Sequence, residues 1–313
     1  MTTSSYRKST SKQSVYDIIT ERVLAALETG TAPWHRPWRG SPFGNWPKNL
    51  KSKKQYRGAN VLMLGMLNPY ENPFWLTYKQ AQEFGGNVRK GEKSSPAVFW
   101  KWYDREDNTT GETKRLPVLR YYAVFNVEQC DGIDSKLPEP EDKRPDLDFT
   151  PIDACEEMVS GYENCPEIDH RGARAFYRQS SDEIVMPERV RFDSEPEYYS
   201  TLFHELAHST GHESRLSRKS LTDLDAGFGS DPYAREELVA EMSAAFMCGI
   251  AGIENHTLDN SAAYIHGWKT KISANPKLVI TAAAQAQKAV DYMREVTFED
   301  ATTEETKPEL ATA

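Results

Sequence analysis

The chain has 313 residues and a formal net charge of -9, a length that accommodates about two domains. No apolar run approaches a bilayer span. The Ser/Thr/Lys-rich stretch Met1–Gln13 lacks the apolar segment of a secretory signal, so a cytoplasmic protein without a membrane partner is expected. Cys130, Cys155, Cys165 and Cys248 form no CxxC pair, which points to reduced thiols rather than a disulfide framework. The charge is unevenly placed: residues 1–126 carry 20 Lys/Arg against 10 Asp/Glu, the remainder 18 against 37. A basic half attracts polyanions and an acidic half repels them, so the two halves are expected to act separably, and a fragment ending near residue 130 to keep any affinity for nucleic acid.

Apolar residues at Val15, Ile18, Ile19, Val23, Leu24 and Leu27 have helical spacing, with Gly30 as a stop. The Pro-, Gly- and Trp-rich run 31–49 reads as a loop. A short helix is expected around Thr77–Phe84, closed by Gly85-Gly86. The runs Ala97–Tyr103 and Pro117–Val127 are rich in β-formers and flank a charged, turn-prone stretch, the pattern of a hairpin. Residues 128–150 hold eight acids and several prolines and read as a linker. Beyond it, residues 151–161 look helical and 173–187 look like a hairpin turning at Ser180-Ser181-Asp182. Three helical patterns follow, at about 194–210, 232–250 and 261–294, the last broken at Asn275-Pro276. The tail from Glu299 is acidic and Thr-rich and is expected to be disordered. The class is α+β: a small α+β domain over 1–127, a linker over 128–150, a helix-rich domain with a short sheet over 151–298, and a tail.

His204-Glu205-Leu206-Ala207-His208 is an HExxH motif. Ser194 or Asp193 can cap its helix, and Pro196 suits the first turn. Positions i and i+4 share a helix face, so both imidazoles can reach one ion, while Glu205 flanks the open position as a proton acceptor. Glu237 and Glu241 repeat the i, i+4 spacing one helix on. A carboxylate there is the gluzincin arrangement; Glu237 is taken as third ligand and Glu241 as the partner that orients a ligand histidine. The reverse assignment and Asp225 as a ligand remain alternatives. His212 lies beyond the motif's end and is read as a residue around the ligands or on the surface rather than among them. Two histidines and a carboxylate suit Zn²⁺, with Mn²⁺ or Co²⁺ as further options. The strand 182–187 is either an edge that pairs with an extended peptide or a plain structural strand.

Residues 33–60 interleave rings and cations: Trp34, Arg36, Trp38, Arg39, Trp46, Lys48, Lys51, Tyr56 and Arg57 among them. Trp75, Lys79, Lys90 and Lys93 extend the pattern. Cations follow phosphates and aromatic faces stack unpaired bases, which suits single-stranded DNA. Tryptophan is also usually buried, so some of these rings belong to the core.

The segments VYDIITERVLAALETGTAPWHRPW, YRGANVLML, WLTYKQAQEFGGNVRKGEKSSPAVFW and YYAVFNVEQ closely resemble the N-terminal domain of the ArdC-type antirestriction proteins, a domain also found in plasmid primases. MPERVRFDSEPEYYSTLFHELAHSTGHESRL and DPYAREELVAEMSAAFMC resemble their C-terminal zincin-like domain. The resemblance spans nearly all of residues 14–295. It implies an N-terminal domain that binds single-stranded DNA, protection of an incoming conjugative plasmid from host restriction, and a metal-binding domain of metallopeptidase type. It places Trp34, Trp38, Arg57, Asn60, Trp75, Lys79, Lys90 and Lys93 in characteristic N-domain segments. The competing expectation is a zinc metalloprotease that uses its basic half to localise on DNA. Its partner would then be a peptide substrate or a protein component of host restriction.

Overall fold

A computed structural model describes residues 14–30, 32–35, 46–106, 113–138, 151–222, 231–253 and 262–296. Helix α1 (Val15–Glu28) starts at a capping box in which Ser14 and Asp17 satisfy each other's backbone amides. The described part of the loop that follows holds a short 3-10 turn at Pro33–His35. Strand β1 (Lys48–Asn49), a π-helical turn at Val61–Met66 and β2 (Phe74–Leu76) lead into α2 (Tyr78–Glu83). Thr77 and Gln80 form a second capping box on α2. Gly85, at φ +83°, ends this helix, and Gly86 packs so closely on residues 131–133 that a Cβ would lie 2.3 Å from Ile133.

Strand β3 (Asn87–Val88) is followed by the long strands β4 (Ser95–Glu106) and β5 (Thr113–Asn126), paired antiparallel from Ser95 opposite Val124 to Glu106 opposite Thr113. They complete a four-stranded sheet of order β1-β2-β5-β4. The expected hairpin is present and longer than its β-rich runs suggested.

The proposed linker begins later than residue 128. Val127–Gln129 form a 3-10 turn, β6 (Cys130–Asp131) pairs with β3, and Ile133 is buried with Leu50, Phe74, Leu76 and Val88 in a satellite core. A few apolar residues among acids suffice here because neighbouring elements supply the rest of the core. Residues 139–150 and 299–313 lie outside the described residues.

Helix α3 (Pro151–Ser160), β7 (Glu167–His170), β8 (Phe176–Arg178) and β9 (Glu183–Met186) follow. The order is β7-β9-β8, with β9 parallel to β7 and antiparallel to β8. The strand taken from sequence as a possible substrate-pairing edge is therefore the central one, with both backbone edges already hydrogen-bonded; the edge on the other side of the hairpin is β8. Asp182, at φ +49°, turns between β8 and β9.

Helices α4 (Glu195–Ser209), α5 (Lys219–Thr222), α6 (Asp231–Ala251), α7 (Ala262–Ala274) and α8 (Leu278–Met293) complete the chain. Ser194 caps α4, and Pro196 lies in its first turn. Helix α6 buries Leu238, Val239, Met242, Ala245, Phe246 and Cys248 on all its sides, as a helix in the middle of a packed layer must. It lies between α4 and α8; α8 buries Ala282, Ala283 and Ala286, and Ser243 Oγ on α6 donates to Ala286 O at 3.5 Å. No helix among the described residues is long and apolar enough to cross a membrane.

The main core does not stop at the boundary between the basic and acidic halves. Ile19, Val23, Leu27 and Trp34 belong to the same buried cluster as Phe203, Phe246, Trp268 and Val290. Trp34 packs edge-on against Trp268 at 5.8 Å, and Trp46 against Phe246 at 5.8 Å. Polar contacts cross as well: Thr20 Oγ1 donates to Pro276 O at 3.0 Å, the Gly58 amide donates to Gln287 Oε1 at 3.1 Å, and Arg57 pairs with Asp291. A chain cut after residue 126 would present the buried face of α1 to water. Such a fragment is expected to lack the dispersed NMR spectrum of a folded protein. In the full chain, Trp34→Ala should cost about 3–5 kcal/mol in chemical denaturation.

Candidate metal centre

Helix α4 brings His204 and His208 onto one buried face, and α6 crosses it with Glu237. The Nε2 atoms of His204 and His208 are 3.1 Å apart. Glu237 Oε2 lies 3.6 Å from His204 Nε2, and Glu237 Oε1 lies 3.7 Å from His208 Nε2. Ligand bonds of about 2.1 Å at a tetrahedral angle set donor atoms about 3.4 Å apart. The three distances lie on either side of that value, and one ligand atom from each side chain lies within 4.8 Å of the others, so the donor set fits a single divalent ion. Among the described residues these are the His, Cys, Asp and Glu side chains that converge in this way. Asp225 lies outside the described residues.

The surroundings are strongly anionic for a buried place. Glu205, Glu236 and Glu241 are all buried next to the histidines. Burial opposes ionisation of Glu237, but hydrogen bonding to His204 and the nearby imidazoles hold its pKa below the usual carboxylate range. For His204, burial favours the neutral ring, and Glu237, Glu241 and Glu205 outweigh it, raising the pKa. A cluster that draws a proton onto a fully buried imidazole is one in which a cation is electrostatically favoured.

One carboxylate was not expected from the sequence. His208 Nδ1 meets Glu236 Oε1 at 3.4 Å. Glu236 is in turn gripped by Arg218, whose Nε donates to Oε2 at 3.1 Å, and by Ser220 Oγ at 2.7 Å. Arg218 also donates to Ala207 O on α4. Burial works against the Glu236 carboxylate, and His208 and Arg218 hold its pKa down at about 2. An acceptor at Nδ1 fixes the tautomer that presents the Nε2 lone pair to an ion. The carboxylate that meets the outer nitrogen of a site histidine is Glu236, where Glu241 was expected from sequence. Glu236 sits one residue from Glu237 on α6, about 100° round the helix, and so reaches the far side of the His208 ring. The Nδ1 of His204 is buried with no hydrogen-bond partner, so Glu241 acts on that ring through its charge.

Of the two positions open to His212, it takes the one away from the ligands. The helix ends at Ser209, and the turn that follows rotates His212 out to bond Ser214 Oγ at 2.7 Å. Glu205 lies where the motif requires, and its Oε2 accepts a hydrogen bond at 2.8 Å from the backbone amide of Tyr177 on edge strand β8. Arg215 clamps this strand's turn by a two-pronged pair with Asp182, both contacts at 2.8 Å, and Tyr177 Oη donates to Asp182 at 2.7 Å. From α6, Tyr233 hydrogen-bonds Glu237; burial, then the charges of Glu237 and Glu205, raise its pKa and keep the phenol protonated. Tyr177, Arg218, Tyr233 and Glu236 carry no sequence signal of their own, since each acts by where a neighbouring element puts it.

The residues expected to touch DNA divide into three groups. Trp34 and Trp75 are 0% and 1% exposed and offer no ring face to a base. Asn60 bonds both the amide and the carbonyl of Val98 at 2.7 and 2.8 Å, and Arg57 pairs with Asp291. These four hold the fold together. Arg36, Trp38 and Arg39 lie outside the described residues. Lys79, Lys90 and Lys93 are exposed. Among the described residues the exposed aromatic side chains lie elsewhere, at Tyr78, at Phe176 on β8, and on the β4–β5 hairpin at Trp100, Trp102, Tyr103 and Tyr121. A run such as Val-Phe-Trp-Lys-Trp-Tyr has large apolar groups on both faces of a strand, and that is the signal that could have marked it.

A histidine pair and glutamate between two crossing helices, beside a short mixed sheet, define a protein with a zincin-like metallopeptidase domain; that family's pattern matches residues 155–285. Residues 13–125 match the N-terminal domain of the anti-restriction factor ArdC. The chain is similar to a crystal structure of the ArdC protein from plasmid R388 in its metal-free form, at 38% identity and a TM-score of 0.70, covering 90% of this chain and 97% of that one. The Mn(II)-bound form of that protein gives 34% identity and a TM-score of 0.71 over 90% and 98% of the two chains. An uncharacterized protein of Sinorhizobium fredii is 34% identical over 89% of this chain and 91% of its own. Two Escherichia coli proteins named DNA primase TraC are 36% and 34% identical over 90% of this chain. The chain spans only 20% and 27% of those primases. The chain belongs to the ArdC-type antirestriction family.

Because Glu236 and Arg218 are a buried pair, removing either partner leaves an uncompensated charge. Arg218→Ala is expected to destabilise the protein by about 3–5 kcal/mol, read by urea denaturation.

Proposed function

We propose that this chain is a single-stranded-DNA-binding antirestriction factor that shields incoming conjugative plasmid DNA from host restriction, and that its C-terminal part holds a divalent ion at His204, His208 and Glu237. The observation that carries the reading is the convergence of these three side chains in a chain that belongs to the ArdC family over nearly its whole length. Zn²⁺ is the ion the donor set suits, with Mn²⁺ and Co²⁺ as alternatives. The Mn(II)-bound relative supports a divalent ion here.

When bound, the ion would supply Lewis acidity toward a carbonyl oxygen and acidify water. Glu205 would take the proton from the attacking water and return it to the departing amine. The Tyr177 amide holds one oxygen of that carboxylate and so fixes its rotamer. Tyr233, protonated beside Glu237, is a hydrogen-bond donor at the edge of the same site. Glu236 and Arg218 keep His208 in its orientation.

That Glu205 is intact and beside the triad favours a second reading, a metalloprotease localised on DNA that acts on a protein of the restriction machinery or another peptide. Conjugation into a restricting host separates the two. If Glu205→Gln still protects transferred DNA as the wild type does, protection rests on DNA binding; if it loses protection while still binding single strands, proteolysis is central.

Two outcomes test the metal and the mechanism. His204→Ala should lose the approximately one ion per chain that elemental analysis finds in the wild type; full occupancy in that variant rules the site out. Glu205→Gln should keep the ion and lose any peptide hydrolysis, whereas wild-type turnover in this variant excludes Glu205 as the base.

A further inference from the structure

The β4–β5 ribbon is longer than its core requires. Ala97 and Val124 are buried at its root. From Trp100 outward, Leu119 is the only buried side chain among the described residues of the two strands. Strand β2 pairs with β5 only at Phe125 and Asn126, so among the described residues no third strand covers this outer part. Trp100 to Glu106 extends about 20 Å.

Opposed residues share a face of an antiparallel pair. Trp100, opposite Leu119, and Trp102, opposite Pro117, therefore lie on one face, together with Tyr121 and Arg115. Lys101, Tyr103, Val118 and Arg120 lie on the other. Trp100 and Trp102 are each 50% exposed and Tyr121 is 45% exposed. The cations sit among the rings: Arg115 lies 5.5 Å from the Trp102 ring centre, and Lys101 and Arg120 lie 5.0 and 5.7 Å from that of Tyr103. In sequence, Lys101, Arg105, Lys114, Arg115 and Arg120 outnumber Asp104 and Glu106 on the two strands.

We propose that the outer half of this ribbon is a single-stranded nucleic-acid subsite, in which Trp100 and Trp102 receive unpaired bases while Arg115, on the same face, meets a phosphate. The proposal rests on the single-strand reading above and gives it a location other than the expected loop tryptophans. Residues i and i+2 of a strand are about 6.7 Å apart, twice the roughly 3.4 Å repeat of stacked bases. One base therefore fits between the two indoles. A surface patch of large rings is unusual unless something covers it. A second copy would bring the same cations against these ones, whereas the phosphates of a polyanion neutralise them. Duplex DNA offers no free base faces to the rings.

The test uses the full chain and a fluorescein-labelled oligo-dT of about 15 nucleotides, long enough for one such site, titrated at several salt concentrations. Trp100→Ala/Trp102→Ala should weaken binding about 30-fold or more with an unchanged salt slope. Trp100→Phe/Trp102→Phe should recover most of the affinity. Arg115→Ala should flatten the slope by about 0.7, the share of one phosphate that is no longer neutralised. If wild type binds no oligo-dT, the single-strand reading falls. If wild type binds and the double-alanine variant, folded by circular dichroism, binds within twofold of it, the ribbon is not the subsite. Sedimentation tests the other occupant: a wild-type dimer that the double-alanine variant dissolves, with oligo-dT affinity kept, makes the ribbon a self-association surface and overturns the proposal. Should the double-alanine variant fail to fold, photocrosslinking of wild type to a bromodeoxyuridine oligonucleotide decides. Adducts on Trp100 or Trp102 support the subsite, and adducts only elsewhere overturn it.

Discussion

Everything in the acidic half is organised around carboxylates that a helix has carried out of water. Helix α6 is apolar on nearly every side, yet Glu236 and Glu241 are buried along it and Glu237 is mostly so. Ionised groups in such a place are costly unless paired. Glu236 is answered by Arg218, Ser220 and His208, Glu237 by the two imidazoles and Tyr233, and the remaining negative charge is felt by His204 as a raised proton affinity. The same constraint explains why α4 and α6 must cross where they do. The histidines of one helix and the acids of the other are each tolerable only in the presence of the other, and a divalent ion completes the compensation.

The link from Glu205 to β8 extends this arrangement to the sheet. The Tyr177 amide belongs to an edge strand that is itself anchored by Arg215 to Asp182 and to Ser209 O at the end of α4. Strand, turn and helix end are thus tied to one another, and one Glu205 carboxylate oxygen is held by backbone rather than by a flexible side chain. That is the kind of support a positioned proton acceptor needs.

The basic half relates to this assembly in two ways. Its root is inseparable from it: α1, Trp34 and the π-helical turn at Val61–Met66 lie in the same buried cluster as α6, α7 and α8. The expectation of two separable modules is drawn from opposite charge, and net charge describes surfaces and leaves a shared core unspecified. Its outer part is the reverse, a ribbon whose rings and cations have no core to join. Trp34 and Trp75 went inward and Trp100 and Trp102 stayed outside, although all four sit in aromatic, basic stretches of sequence.

Periodicity and capping chemistry determined most of the elements by themselves. The helices at 15–28, 195–209 and 231–251, the break at Asn275-Pro276 and the long hairpin follow from local spacing, because caps, turns and amphipathic faces are short-range properties. The spacing of His204, Glu205 and His208 likewise put three functional groups on one helix without reference to anything else. What only the tertiary structure decided were relations between elements. It placed Glu236 beside His208, made β9 central and β8 an edge, folded residues 128–138 into the satellite core, and sorted the tryptophans into buried and exposed. A residue's own neighbours cannot encode these outcomes, since each depends on which distant surface arrives to desolvate, pair with or cover it.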